Sequence, residues 1–208
     1  MVLVENKLKN AYIGEYVPFT PWANTLAYFP LAEDWLDKTG NYTLSNTWTA
    51  QTLWRRFTAQ ASLNSTPSNP RTTSWWVKIA SASASWWQCW VLGIGWSYIC
   101  YGTDNSKVYN KSLYIYVNAN YYYSINLIDN QWHHIVLTNN WSNIIWYVDW
   151  VAHSLWNPSI PNFWNNLVYC SWSNTIDVTL SEFIIENKQR TAQEILNYYN
   201  NTKSNYWL

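Results

Sequence analysis

Few side chains in this 208-residue sequence are placed to do covalent or acid–base chemistry. The nearest approach to a glycosidase pair is Glu182 and Glu186, in TLSEFIIE. Alternation along a strand puts residues four apart on one sheet face, separated by ~13 Å at about 3.3 Å per residue. Retaining glycosidases need ~5 Å between carboxyl groups and inverting ones ~6.5–9.5 Å, so this pair fits neither. His133 and His134 are adjacent in NQWHHIVLT. On a strand they face opposite sides and cannot close on one metal. His153 falls on the next strand, and a structural histidine is the simpler reading of all three. Cys89, Cys100 and Cys170 are too few and too uneven for a disulfide framework, and no Cys-x-x-Cys zinc spacing occurs. Free buried thiols are expected, with a Cys89–Cys100 bridge across a hairpin as the alternative. No nucleophile elbow, phosphate loop or nucleotide fingerprint is present. The chain does not read as an enzyme.

Binding chemistry is better represented. Aromatic rings that stack on sugars are the usual signature of a glycan site, and Tyr98, Tyr101, Tyr121 and Tyr123 are the candidates on strand-like segments. Alternating tyrosines also serve a sandwich core and its surface. Twelve basic residues balance twelve acidic ones, which excludes an electrostatic nucleic-acid binder. The apolar run Trp86–Trp96 is broken by Gln88 and Gly93 and is far shorter than the ~20 residues of a membrane span. The opening MVLVENKLKNAYIGEY has no basic segment leading into an apolar one, so no secretory signal is read there. Eighteen tryptophans sit beside five glycines, whereas a chain of average composition would carry roughly 15 glycines. That imbalance bears on how the aromatics are read.

The elements that must position these residues are mostly short strands. Thr25–Leu31, Thr72–Ile79, Leu113–Val117, Tyr121–Leu127, Trp132–Asn139, Ile144–Val151 and Thr179–Glu186 are rich in β-branched and aromatic residues. Loops are expected at Leu63–Pro70 and Trp156–Asn166, where Asn, Pro and Ser cluster. Such punctuation predicts an all-β, antiparallel two-sheet sandwich. Thr191-Ala-Gln-Glu194 fits a capping box opening a helix over about Thr191–Asn200, with Ile195, Leu196 and Tyr199 on one face. Residues 1–22 read as an N-terminal arm or leader, and residues 23–208 as the domain.

Four ordered segments resemble the concanavalin A-like, laminin-G-like jelly-roll domains of extracellular and phage-associated proteins. They are LAYFPLAEDWLDKTGNYTL (Leu26–Leu44), TTSWWVKI (Thr72–Ile79), NQWHHIVLT with IIWYVDWV (Asn130–Val151), and LSEFIIENKQRTAQEILNYY (Leu180–Tyr199). The resemblance implies a jelly-roll sandwich with Trp76 and Trp132 in its core. It also implies a structural calcium, carried over onto Asp37, Asn41 and Glu182, with Asp34 as a looser fourth; hard oxygen ligands suit that ion. Without calcium, Asp37–Asn41 is ordinary turn chemistry. Trp150 falls where the family has glycine, in a hairpin turn that demands positive φ. Trp22, Trp86, Trp87, Trp141 and Trp172 sit in similarly small, polar company. This points to UGA codons read as glycine in the source, as in some uncultivated bacteria and their phages, with a truly Trp-rich binding surface as the alternative. The function implied is a non-catalytic recognition or adhesion module at a cell or virion surface, binding glycan or protein. A structural subunit of a phage tail or surface assembly is the alternative, and a glycan-active enzyme is disfavoured.

Overall fold

The β-branched and aromatic segments form antiparallel strands, as their composition requires. The computed structural model describes residues 19–30, 36–43, 49–50, 55–57, 61–62, 72–82, 89–94, 97–102, 112–117, 120–125, 127–139, 144–154, 167–169 and 176–206. The strands are β1 (Thr25–Phe29), β2 (Thr49–Ala50), β3 (Arg55–Phe57), β4 (Ala61–Ser62), β5 (Thr72–Ala82), β6 (Cys89–Ile94) and β7 (Ser97–Gly102). They continue as β8 (Ser112–Val117), β9 (Asn120–Ile125), β10 (Trp132–Asn139), β11 (Ile144–Val148), β12 (Val151–Ser154), β13 (Leu167–Tyr169) and β14 (Ile176–Glu186). Helix α1 (Ala192–Thr202) follows, continued by a 3-10 turn at Lys203–Tyr206.

One sheet runs β12-β11-β10-β5-β14-β3-β2, with β1 also paired to β14; the other runs β4-β13-β6-β7-β8-β9. The architecture is a two-sheet jelly-roll sandwich with a short C-terminal helix. Strand β14 organises the first sheet. Its C-terminal half pairs with β1 (Phe29 opposite Phe183) and its middle with β3 (Leu180 opposite Arg55), while β5 runs along its other side. Where β1 gives way to β3, β14 carries a register shift between Ser181 and Ile184, and Glu182 takes a φ of 49°. The Glu182 N–H donates to the Pro30 carbonyl at 3.0 Å there. The shift is a β-bulge, and it breaks the plain alternation expected between Glu182 and Glu186.

Both faces of β5 are buried. Trp75, Val77 and Ile79 lie on one side, and Ser74 and Trp76 lie on the side that α1 covers. Trp76 stacks on Tyr206 at 4.2 Å between ring centroids, and Trp132 packs against the same ring. Farther along, Ile195 of α1 seats on Val136 and Tyr147. The core places expected for Trp76 and Trp132 are therefore real, and Trp75 and Trp146 join them, each at most 1 % exposed. Helix α1 starts with the expected capping box: the Thr191 side chain accepts from the Glu194 N–H, and Glu194 reaches back to the Thr191 N–H. It runs two residues past the expected end and then tightens, which carries Tyr206 down onto Trp76.

The segment read as one strand over Ile144–Val151 is two strands, divided by a turn at Asp149–Trp150. The loops expected at Leu63–Pro70 and Trp156–Asn166 lie outside the described residues, as does the arm up to residue 18. The last part of that arm packs on the domain: Phe19 meets Tyr28 and Tyr198 edge-on at 5.0 and 6.0 Å.

Candidate functional site

The loop after β1 is built around the Asp37 carboxylate. Its Oδ1 accepts from the N–H groups of Tyr28 (2.8 Å) and Thr39 (3.0 Å). Its Oδ2 accepts from the N–H groups of Asn41 (3.0 Å) and Tyr42 (2.9 Å), with the Thr39 hydroxyl at 2.6 Å. Gly40, at φ 75°, supplies the left-handed step that turns successive N–H groups inward. Asn41 is exposed and donates its amide to the Leu26 carbonyl at 3.3 Å. The structure thus brings Asp37 and Asn41 into one loop, but the carboxylate sits in a cradle of donors. Such a cradle suits an anion; a cation needs lone pairs turned toward it. Glu182 lies on β14, where its side chain accepts from the Tyr198 hydroxyl. Asp34 falls outside the described residues. Among the described residues, no three His, Cys, Asp or Glu side chains form a metal-holding group.

Glu182 and Glu186 are both fully buried, and both meet groups from the C-terminal segment. Arg190 grips Glu186 through Nε at 2.5 Å and Nη2 at 3.0 Å. The guanidinium lies 4.9 Å from the Tyr198 ring centroid and 5.0 Å from that of Trp22. Burial raises the pKa of Glu186 against the lowering pull of Arg190. Burial, reinforced by the Glu182 charge, pushes the Tyr198 hydroxyl well above its ordinary range. His134 is enclosed between Trp76 and Tyr198, and both ring nitrogens lack a hydrogen-bond partner. Burial, with the Arg190 charge adding to it, lowers its pKa to about 3, so it is a neutral core residue. The adjacent histidines do face opposite sides. Only one cue announces the Glu186–Arg190 pair in advance: two opposite charges four apart, in a chain where charge is scarce.

His133 occupies the other face. Its Nδ1 lies 2.7 Å from Asp149 Oδ2, and its Nε2 lies 3.2 Å from each oxygen of Asp129. Burial pulls its pKa down, but the bonds and charges of Asp149 and Asp129 outweigh that and raise it. Asp149 and Trp150 form the tip of the β11–β12 hairpin with φ of 48° and 69°. Both central residues are left-handed, as a type I′ turn demands. Trp150 and Val151 are 48 % and 46 % exposed, two of the four large apolar side chains turned to solvent among the described residues.

The four candidate tyrosines lie on the second sheet. Tyr98 (β7) pairs with Tyr116 (β8), which pairs with Tyr121 (β9), so three tyrosines share one register row. Tyr101 stands opposite Leu113 and Cys89, out of that row. A register shift in the β8–β9 ladder falls beside Tyr121 and Tyr123 and interrupts the alternation expected of them. Cys100 pairs with Trp90 and Cys89 with Tyr101, so the two cysteines are not directly opposite across the β6–β7 hairpin.

No protein-family model matches the chain, and no curated protein matches it in sequence. Solved structures do match in fold. The receptor-binding domain of botulinum neurotoxin C/D mosaic serotype superposes with a TM-score of 0.63 at 13% identity, covering 86% of this chain and 51% of that one. The binding domain of botulinum neurotoxin DC in complex with rat synaptotagmin II gives 0.64 at 11% identity, with 86% and 52% covered. A botulinum neurotoxin type C structure, described as depending on two ganglioside molecules for cell entry, gives 0.62 at 14% identity, with 86% and 51% covered. These likenesses establish the fold. The chain spans about half the length of the structures it matches.

Proposed function

We propose that the chain is a non-catalytic recognition module that binds a glycan at a cell or virion surface. The carrying observation is the superposition of 86% of the chain on receptor-binding domains, one of them tied to gangliosides. The ionisable groups support it chemically. Asp37, Glu182, Glu186 and His133 are each engaged by partners within the fold, and His134 is closed off beneath α1. None is poised as an acid–base pair. We assign ligand binding to the register row Tyr98–Tyr116–Tyr121, with Tyr101 and Tyr123 on the same strands. Sugar rings stack on such aromatic rows with little loss of side-chain entropy. The second reading is a protein ligand, favoured by the neighbour solved with synaptotagmin II. Among the described residues no helix is long and apolar enough to cross a membrane.

A glycan array that includes ganglioside headgroups tests this directly. Binding that is lost in Tyr98→Ala and Tyr121→Ala, with melting temperature held, supports the assignment. An array with no hits, together with co-purification of virion or appendage proteins, would replace it with a structural subunit. The recoding of Trp as Gly belongs to the same reading of origin. It is supported by the left-handed backbone at Trp150 and the shortage of glycine. Codons decide it: UGG at Trp150 and Trp141 removes the idea.

A further inference from the structure

His133 stands where the start of β10 meets two acidic turns, with a carboxylate on each ring nitrogen. A carboxylate ion only accepts hydrogen bonds, and a neutral imidazole has one N–H and one bare lone pair. Only the imidazolium can donate to both partners. We propose that Asp129, His133 and Asp149 form a proton-operated clasp that holds the turn before β10 against the β11–β12 hairpin, closed when the His133 ring carries two protons and released on the Asp129 side when it carries one. The inference goes beyond the binding reading and stands whether or not a glycan is found.

The hairpin tip stays tied in both states, and it is the Asp129 turn that is released. Strand β12 ends the first sheet, so its described ladder is with β11 alone. Asp149 ties the tip to β10 through a second route: Oδ1 accepts from the His134 N–H at 2.9 Å, and the Asp149 N–H donates to the His134 carbonyl at 2.9 Å. The shorter bond, to Asp149, keeps the remaining proton when His133 is neutral. The bare Nε2 then faces Asp129, and that bond is the one lost. Other charged or titratable groups border the cluster. Tyr199 of α1 feels the Asp149 charge, and Lys203 sits 5.5 Å over the Tyr199 ring. Lys78 of β5 stands opposite Trp132 in the ladder, and His134 lies on the far face beneath α1. Asp129 and Asp149 are 45% and 30% exposed, so water and salt weaken the clasp without removing it. Because the native fold raises the proton affinity of His133, the closed form is complete below the ordinary value of 6.5 and is lost as pH rises through the raised one.

Hydrogen exchange of the full chain, read by mass spectrometry from about pH 5 to about pH 9 and corrected for intrinsic rates, tests the clasp. The turn amides of Asn130 and Gln131, bonded to the Ile79 carbonyl and to Asp129 Oδ1, should lose protection by about fivefold across the transition, the scale of one partly exposed ion pair. The same step should vanish in His133→Gln. It should vanish also in Asp129→Asn, a half-exposed change that leaves the core alone and serves if the first variant folds poorly. A flat wild-type profile overturns the proposal, and so does an unchanged step in either folded variant.

Discussion

Glutamine at position 186 tests the buried pair that fastens β14 to the segment leading into α1. Arg190 and Glu186 are 1% and 0% exposed, bonded at 2.5 and 3.0 Å. In Glu186→Gln the guanidinium keeps its charge and its burial but loses its counter-ion. Breaking a buried pair from one side costs about 3–5 kcal/mol, because the surviving charge is uncompensated. For a chain of this length each kcal/mol moves the melting temperature by ~2–4 °C, so a fall of roughly 6–20 °C is expected. The double variant Glu186→Leu, Arg190→Met removes both charges. Methionine can fill the space against Trp22 and Tyr198, since thioethers pack well on rings. It should lie within ~1–2 kcal/mol of wild type, as hydrophobic replacements of buried pairs commonly do. Urea melts with a constant slope give both numbers. A single variant that loses under ~1 kcal/mol, or a double variant as damaged as the single, refutes the account.

The left-handed backbone at Trp150 should invert the usual ranking of alanine over glycine: Trp150→Gly should exceed Trp150→Ala in stability by about 1 kcal/mol, measured by urea melts. Asp37→Ala leaves the N–H groups of Tyr28, Thr39, Asn41 and Tyr42 without their acceptor, and should cost about 2–3 kcal/mol. Calcium should leave the wild-type melting temperature unchanged; a rise that chelation reverses would return the ion to this loop. Proton NMR of the three histidines should give three separate titrations. His133 should titrate above 6.5, and His153, lowered by burial, below it. His134 should stay neutral down to about 3.

The parts of the fold legible in the sequence are those whose cause is local. Thr191 and Glu194 are three residues apart, and their capping box sets the start of α1 without help from elsewhere. The family resemblance places Trp76 and Trp132 in the core, and both are buried there. The unreadable parts depend on partners distant in the chain. Thr72 Oγ1 accepts from the Arg190 N–H and donates to the Lys188 carbonyl, closing contacts across more than a hundred residues. No spacing rule announces that. The β6–β7 hairpin was obscured for another reason: its apolar run carries little of the Asn, Ser and Pro punctuation that divides strands elsewhere.

Alternation itself failed where the backbone turns left-handed, and the residues found there separate accident from necessity. Among the described residues, Asn130, Asp149, Trp150 and Glu182 have positive φ without being glycine. Asn and Asp tolerate that conformation through local hydrogen bonds, and both occupy turns. Trp150 has no such excuse, and its exposed ring gives little packing in return. Glu182 differs from it in kind. It is fully buried, its N–H is held by the Pro30 carbonyl, and its carboxylate takes the Tyr198 hydroxyl. The bulge it forms sits where β1 hands its place beside β14 to β3, so the strain is held by contacts from three sides. The carboxylate that family resemblance assigns to calcium is thus engaged in joining the sheet to the helix that covers it, whereas Trp150, the other strained position, holds its ring 48 % exposed at a hairpin tip.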